Sequence, residues 1–168
     1  MKQSATFDSS FWINAHRPGL LAQILDRYQL HYTPAVAAEL ALQFPSGREF
    51  WRLARIGELD QAVPAASHVR EFGPGERMAI DLALEHRDWV LLMDDQRPFS
   101  AAARMGVPLV CTPVLAVALF TEGQLSASQT LTVLARLAAL QTVSPILLAA
   151  ALAQLGAWLT QPPSPSDP

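Results

Sequence analysis

The chain alternates short, continuous apolar runs with longer stretches in which apolar residues recur every three or four positions. The first pattern is typical of strands that are buried on both faces, and the second is typical of amphipathic helices. Strands are predicted at residues 5–7, 30–32, 89–93 and 107–112. Helices are predicted at residues 11–17, 20–28, 34–42, 48–56, 76–86, 98–105, 113–122, 127–140 and 145–160. This alternation predicts an α/β fold, a three-layer α/β/α domain with a mostly parallel central sheet.

The segments between these elements set the domain limits. Pro45, Ser46 and Gly47 are expected to break the chain before the helix at 48–56. Residues 57–72 show only a weak pattern, and Pro64 argues against a central strand there. With no internal repeat and no long linker, we expect one domain over residues 1–160 and a disordered Pro/Ser-rich tail over 161–168.

Composition narrows the function classes. Of the 168 residues, 51% are apolar and 16% charged, which excludes a disordered chain, and the net charge of −3 predicts no broad basic surface. The single cysteine, Cys111, excludes a disulfide framework and a cysteine-based zinc site. The start of the chain has no signal-peptide pattern and no apolar run is long enough to span a bilayer, so a cytoplasmic protein without membrane contact is expected.

Acidic residues follow two of the predicted strands directly. Asp8 comes after the first strand, and Asp94 and Asp95 come after the strand at 89–93. Loops are often polar, so either occurrence alone has an ordinary explanation. Because parallel sheets bind ligands at the carboxyl ends of their strands, the two together indicate a site.

Two glutamates on predicted helices extend this set. Glu76 lies in the first helical turn, at a spacing from the apolar stripe that places it on the same, buried face of the helix. A role only as an N-terminal cap is the alternative interpretation of this residue. Asp81 lies off that stripe and is expected to be solvated. Glu39 lies three residues after Val36 on a helix rich in Ala, Val and Leu, and a plain surface position is its alternative.

Clustered carboxylates repel one another, and a bound cation is the usual way to stabilise them. Oxygen ligands without cysteine, and without a histidine pair at metal spacing, favour Mg²⁺ or Mn²⁺. Such an ion activates water and stabilises charge on a phosphate oxygen, so the reaction class is metal-assisted phosphodiester hydrolysis.

Four segments also carry a family resemblance, in order, within residues 5–155. They match the patterns D-x-S-x-x-I at 8–13, P-x-x-V-x-x-E-L at 34–40 (apart from one residue of spacing), G-E-x-x-A-I-x-L-A at 75–83, and L-L-x-D-D at 91–95. In this the chain resembles the PIN-domain ribonucleases, and within that superfamily a branch related to VapC-type toxins. Each pattern is loose by itself, but each contains an acid that the strand and helix patterns had already selected.

The resemblance implies a Mg²⁺- or Mn²⁺-dependent endoribonuclease with an acidic pocket. Asp8 and Asp94 would bind the metal directly, Glu76 would bind it or orient the attacking water, and Glu39 would be an outer ligand. Asp95 would support or replace Asp94, and Ser10 would offer its hydroxyl to Asp8 or to a water.

The resemblance also bears on the partners. Relatives follow the paired acids with Ala-Arg, where this chain has Pro98 and Phe99, so Arg97 is the candidate substitute for contacting RNA phosphate, with Arg77 a second candidate. A further set of arginines, at 48, 52 and 55, forms either an RNA groove or an ordinary solvated face. The resemblance implies an RNA substrate, a small antitoxin partner and a homodimer, for which the apolar C-terminal helices are candidate surfaces.

Two other function classes stay open at this stage. The first is a non-catalytic PIN-like module that binds protein or RNA and keeps the acids for folding. The second is a phosphotransfer or receiver domain, which also places aspartates at strand ends. The chain has Ser10 where a D-x-D pattern starting at Asp8 would place its second aspartate, and it has no lysine beyond Lys2 to contact a phosphoryl group, which argues against the second class.

Overall fold

A computed structural model describes residues 2–160, which form five strands and nine helices. The strands are β1 (Gln3–Phe7), β2 (Tyr28–Tyr32), β3 (Leu59–Gln61), β4 (Val90–Leu92) and β5 (Leu109–Val110). The helices are α1 (Ser9–His16), α2 (Leu21–Arg27), α3 (Pro34–Glu39), α4 (Pro45–Arg55), α5 (Pro74–Glu85), α6 (Gln96–Arg104), α7 (Thr112–Thr121), α8 (Ala127–Leu140) and α9 (Pro145–Leu159). The tail predicted at 161–168 lies outside the described residues.

The strands form one sheet in the order β3-β2-β1-β4-β5, and every neighbouring pair is parallel. β1 lies at the centre, where Ala5 pairs with Leu30 of β2 on one side and with Val90 of β4 on the other. The predicted α/β class with a mostly parallel sheet is confirmed.

Helices cover both faces of the sheet, as the alternation of side chains along β4 shows. Val90 and Leu92 belong to the larger apolar core, which includes residues of α1, α2, α4 and α7–α9. Leu91 and the following Met93 belong to a smaller core with residues of α5 and α6. Because successive side chains of a strand point to opposite faces, these two cores lie on opposite sides of the sheet.

The strand order reverses between β1 and β4. The chain passes from β1 outward to β2 and β3, and then returns to the other side of β1 to add β4 and β5. Parallel sheets bind ligands at such a switch point, just beyond the carboxyl ends of the two central strands. This geometry positions the site described below.

Several predictions about the secondary structure are wrong: β5 covers only two residues of the strand predicted at 107–112, and three further cases concern β3, α4 and α3. β3 lies in the segment where no strand was expected; it is a three-residue edge strand that ends before Pro64, so the proline does not interrupt it. α4 begins at Pro45 instead of 48, because proline fits the first helical turn. Gly47 within that turn is needed for packing, since a Cβ there would lie 2.0 Å from the carbonyl oxygen of Ala41. α3 ends at Glu39 and does not continue to residue 42.

Within residues 2–160 no helix combines the length and the apolar character needed to cross a membrane.

Candidate functional site

Asp8 follows β1 directly and is buried, with 1% of its surface exposed. Its Oδ1 accepts a hydrogen bond from the backbone N–H of Phe11 at 3.0 Å, and its Oδ2 accepts one from the hydroxyl of Ser10. Asp8 is thus the N-cap of α1. Capping fixes the carboxylate at the end of the central strand.

Asp94 follows Met93 at the end of β4 and is equally buried. Its Oδ1 accepts from the backbone N–H of Thr112 at 2.7 Å. Its Oδ2 accepts from the Thr112 hydroxyl at 2.7 Å and from Nδ2 of Asn14 at 2.9 Å. Three donors therefore hold this carboxylate, and they come from the start of α7 and from α1.

Sequence reasoning missed both partners of Asp94. Neither Thr112 nor Asn14 had been assigned a role in the site from the sequence. The available signal for Asn14 was a lone amide within an apolar helical stretch, since a buried amide requires a partner. Asn14 is in fact 1% exposed.

The pKa values of both buried aspartates are raised. The pKa of Asp8 is raised to about 7: burial raises it most, the hydrogen bonds from Ser10 and Phe11 lower it, and the nearby carboxylates of Asp94 and Glu76 raise it. Burial also raises the pKa of Asp94, opposed by its bonds to Thr112 and Asn14. Within residues 2–160 no salt bridge reaches either aspartate. The site thus holds acid that no protein cation neutralises.

Glu76 lies half-buried in the first turn of α5. Its Oε2 accepts from the backbone N–H of Gly73 at 2.9 Å, so the capping role considered as an alternative is present. Burial raises the pKa of Glu76, and repulsion from Asp95 and Glu39 adds to the effect, while Arg97 lowers it. Glu76 therefore caps its helix and also lies near the other acids.

Glu39 is exposed at the end of α3 and connects three elements. Its Oε1 accepts from the backbone N–H of Gly75 at 3.1 Å, and its Oε2 accepts from the hydroxyl of Ser9, a residue to which sequence reasoning had assigned no role in the site. A Cβ on residue 75 would lie 2.5 Å from Oε2 of Glu39, so glycine permits this close approach.

Asp95 differs from its neighbour Asp94. It is exposed and caps α6 by accepting from the backbone N–H of Arg97 at 3.1 Å. The structure therefore places Asp94 beside Asp8, and it places Asp95 on the rim near Glu76.

Asp81 was expected to be solvated, and that expectation is wrong. The residue is 1% exposed, and its Oδ1 accepts from the backbone N–H groups of His68 at 2.8 Å and Val69 at 3.0 Å. The segment before α5 folds over this position and supplies the donors, which the periodicity of the helix alone does not reveal.

A cleft of about 330 Å³ opens beside Asp94 and Asp95. One wall carries Ser10, Asp94, Asp95 and Gln96, and the other consists of residues 141–145, which are the connection after α8 and the first residue of α9. The hydroxyl of Ser144 donates to Oε1 of Gln96 at 2.6 Å, which joins the two walls. The cleft is large enough to admit part of a polar ligand to Asp94.

The donor set can be tested against a divalent cation. The available groups are carboxylate and hydroxyl oxygens, which suit Mg²⁺ or Mn²⁺, and the two aspartates are buried without a cationic partner in the described chain. Among residues 2–160, no three acidic, histidine or cysteine side chains are close enough to hold one ion. Mg²⁺ commonly binds through one or two carboxylates and keeps several waters, so a pair of aspartates fits it.

The candidate RNA-binding arginines have different settings. Arg97 is exposed in the first turn of α6, and Arg77 is half-buried on α5. Arg48, Arg52 and Arg55 are exposed on α4, where Arg52 pairs with Glu49 at 2.7 Å; this is the setting of a solvated face.

These observations define an α/β domain with a parallel sheet whose two central strands each end in a buried aspartate at the switch point. The model of the PIN-domain family DUF3368 matches residues 5–157, and the chain belongs to that family. Family membership supports a nuclease-type function, and PIN nucleases generally use divalent metals.

No curated protein matches the chain. Among solved structures, the chain is similar to one described as the structure of the PIN domain endonuclease Utp24, with 14% sequence identity and a TM-score of 0.48. That match covers 65% of this chain and 84% of the other.

Proposed function

We propose that this protein is a Mg²⁺- or Mn²⁺-dependent endoribonuclease that hydrolyses RNA phosphodiester bonds. One observation carries the proposal. Asp8 and Asp94 lie buried at the switch point of a parallel sheet, close enough to raise the pKa of Asp8 and with no salt bridge among residues 2–160. A divalent ion would compensate this charge, and the family supports nuclease-type chemistry.

Asp8 and Asp94 would hold the ion, which when bound supplies charge stabilisation at a phosphate oxygen and lowers the pKa of water. Ser10 orients the Asp8 carboxylate through its hydrogen bond. Asn14 and Thr112 orient that of Asp94 and leave its Oδ1 with a single protein donor, so this oxygen retains capacity to bind.

Glu76 is the candidate residue for orienting the attacking water. Its pKa is raised by burial and by neighbouring acids, which makes it a better proton acceptor than an ordinary glutamate. Glu39 would act at the outer edge, and Asp95 would support the rim. Arg97 and Arg77 are the candidates for contacting RNA phosphate.

The test is cleavage of a panel of structured and unstructured RNAs with Mg²⁺ or Mn²⁺. Wild type is compared with Asp8→Asn and Asp94→Asn, and EDTA serves as the metal-free control. Cleavage that requires metal and is lost in both variants supports the proposal. Cleavage that survives both substitutions comes from another site or a contaminant and refutes it.

A non-catalytic binding module is the second candidate, and a specific observation favours it. Asp8 caps α1 and Asp94 holds the start of α7, so both acids have a structural task without any reaction. Metal-induced thermal stabilisation that requires Asp8, without cleavage of any RNA in the panel, would select this function.

The biological role extends the proposal to the toxin component of a toxin–antitoxin pair, supported by the resemblance of the four acid-bearing segments to VapC-related proteins. Expression in a bacterial host should arrest growth with wild type and not with Asp94→Asn. Co-expression of a small protein encoded beside this one should restore growth. Growth arrest by wild type and by Asp94→Asn alike would contradict the proposed toxin role.

A homodimer is proposed as well. α9 carries no charged residue, and it exposes Ile146 at 62% and Leu152 at 45% while burying a stripe of Leu147, Ala151 and Leu155. An uncharged exposed face of this kind is typical of a protein interface. Sedimentation equilibrium should show a dimer for wild type and a monomer for Ile146→Glu.

A further inference from the structure

A second cavity, of about 400 Å³, lies beside the acidic cleft between α6 and the segment that precedes α5. It is lined by Glu71, Phe72, Gln96, Arg97, Ser100 and Arg104, and of these side chains only Arg97 has been proposed above to contact RNA. We refer to it as the α6 cavity.

One wall of the α6 cavity is the outer face of α6. Arg97, Ser100 and Arg104 are spaced by three and four residues, which places them along the same side of the helix. The opposite side of α6 is buried through Pro98, Ala101 and Ala102. The packing of α6 therefore directs two guanidinium groups and a hydroxyl toward the same cavity.

Neither arginine is neutralised by the protein. In the described part of the chain, Arg97 and Arg104 take part in no salt bridge, although Glu71 lines the same cavity. Two arginines and one glutamate leave the cavity with an excess of one positive charge. This is notable in a chain of net charge −3, beside a cleft that is itself acidic.

The opposite wall carries an aromatic ring. Phe72 is partly buried against the smaller core, through which its position is supported, and it also lines the α6 cavity. A supported aromatic ring beside arginines is the combination that binds unpaired bases, because the base stacks on the ring while the cations contact the phosphates.

The α6 cavity is continuous with the acidic cleft through one residue. Gln96 lines both, and its hydrogen bond from Ser144 fixes its side chain between them. Arg97 also lies near enough to Glu76 to lower the pKa of that group. A ligand bound in the α6 cavity could therefore extend past Gln96 into the cleft that contains Asp94.

We infer that the α6 cavity is a nucleotide subsite for single-stranded RNA, in which Phe72 stacks on an unpaired base next to the scissile bond and Arg97 and Arg104 contact the flanking phosphates. This inference rests on the proposed function and deepens it by naming the residues that hold a nucleotide beside the scissile bond. A duplex keeps its bases stacked inside the helix, so it cannot use Phe72.

Binding is measured by fluorescence anisotropy with a fluorescein-labelled, mixed-sequence single-stranded RNA, in buffer with Ca²⁺ replacing Mg²⁺ and with the RNA checked for integrity. The same RNA annealed to its complement is the duplex probe. Arg104→Gln is compared with Arg55→Gln, which removes an exposed arginine from the solvated face of α4. Phe72→Leu removes the flat ring but keeps an apolar side chain, and Phe72→Tyr keeps the ring.

We expect Arg104→Gln to weaken single-strand binding about tenfold and to reduce the salt dependence by about 0.7 in the log–log slope, as for one lost phosphate contact. Phe72→Leu should weaken single-strand binding about tenfold and leave duplex binding unchanged, since stacking on one ring is worth that much. Phe72→Tyr and Arg55→Gln should bind like wild type. Glu71→Gln should bind more tightly, because it removes the one negative charge from the α6 cavity.

The inference is overturned if Arg104→Gln behaves like Arg55→Gln, if Phe72→Leu affects both probes equally, or if wild type binds no RNA. Thermal melting of each variant identifies loss of folding, and Phe72→Tyr remains informative if Phe72→Leu is unstable. Binding with the expected pattern but without cleavage in Mg²⁺ or Mn²⁺ refutes the nuclease proposal and leaves the subsite supported. Cleavage that does not depend on Arg104 or Phe72 supports the nuclease proposal and refutes the subsite.

Discussion

The burial of Asp8 predicts that neutralising this residue stabilises the protein, with a characteristic pH dependence. The folded state raises the pKa of Asp8 from 3.8 to about 7, chiefly by burial and further through Asp94 and Glu76. The folded chain therefore holds this proton more tightly than the unfolded chain does, and stability falls as the pH rises from 3.8 to 7. At roughly 1.4 kcal/mol per pH unit, ionised Asp8 costs the folded state about 4 kcal/mol above pH 7.

The substitution Asp8→Asn removes this cost without removing the cap. Asparagine is as good an N-cap as aspartate, and its side-chain oxygen can still accept from Phe11. It stays neutral at every pH, so its advantage over wild type should grow with pH. Between pH 5 and pH 8 the difference in unfolding free energy should increase by roughly 2–3 kcal/mol.

Urea denaturation at pH 5, 6, 7 and 8, in EDTA, measures the difference. Asp81→Asn is the matched control, because Asp81 is equally buried but its hydrogen-bond partners are the backbone N–H groups of His68 and Val69. A difference between wild type and Asp8→Asn that stays constant across this range would refute the reasoning, since burial would then not oppose ionisation of Asp8.

Three further predictions concern the site. Mg²⁺ at a hundred times its Kd should raise the unfolding free energy of wild type by about 2.7 kcal/mol and should have no effect on Asp8→Asn. Thermal melts with and without EDTA would show the difference. Equal effects on both proteins would mean that the ion binds elsewhere. Thr112→Val removes one hydrogen bond to Asp94 and should lower the unfolding free energy measured in urea at pH 7 by about 1–2 kcal/mol. Thr112→Ser keeps the hydroxyl and should unfold like wild type. An unchanged unfolding free energy in Thr112→Val would contradict the role of the hydroxyl. Gly75→Ala would bring a Cβ to 2.5 Å from Oε2 of Glu39, so it should displace that side chain and slow RNA cleavage. Glu39→Ala should slow cleavage equally, and adding Gly75→Ala to it should have no further effect. Additive effects of the two substitutions would argue against this coupling.

The sequence was most informative where the pattern is local. A continuous apolar run followed by an acid predicts both the strand and the position of the acid, and this holds at Asp8 and at Asp94 because each follows its strand by one or two residues. The order of strands and helices likewise predicts the parallel sheet. β3 escaped prediction because an edge strand of three residues is too short to show a period.

The partners that hold the acids could not be predicted, because they are distant in the chain. Asn14 and Thr112 lie 80 and 18 residues from Asp94, and Ser9 lies 30 residues from Glu39. Such contacts depend on how α1 and α7 pack against the sheet. The burial of Asp81 has the same origin, since its donors belong to a loop that has no pattern of its own.

The choice between Asp94 and Asp95 shows how the fold distinguishes two identical neighbours. Side chains alternate along and just beyond β4: Val90 and Leu92 point toward the larger core, and Leu91 and Met93 point toward the smaller one. Asp94 continues the first series, so it turns toward α1 and α7, where Asn14 and Thr112 supply donors. Asp95 comes one residue later, where α6 begins, and its carboxylate is used as the exposed cap of that helix. The parity of the strand therefore decides which acid is buried beside Asp8, and it supports Asp94, with Asp95 as the rim residue, in the proposed metal pair.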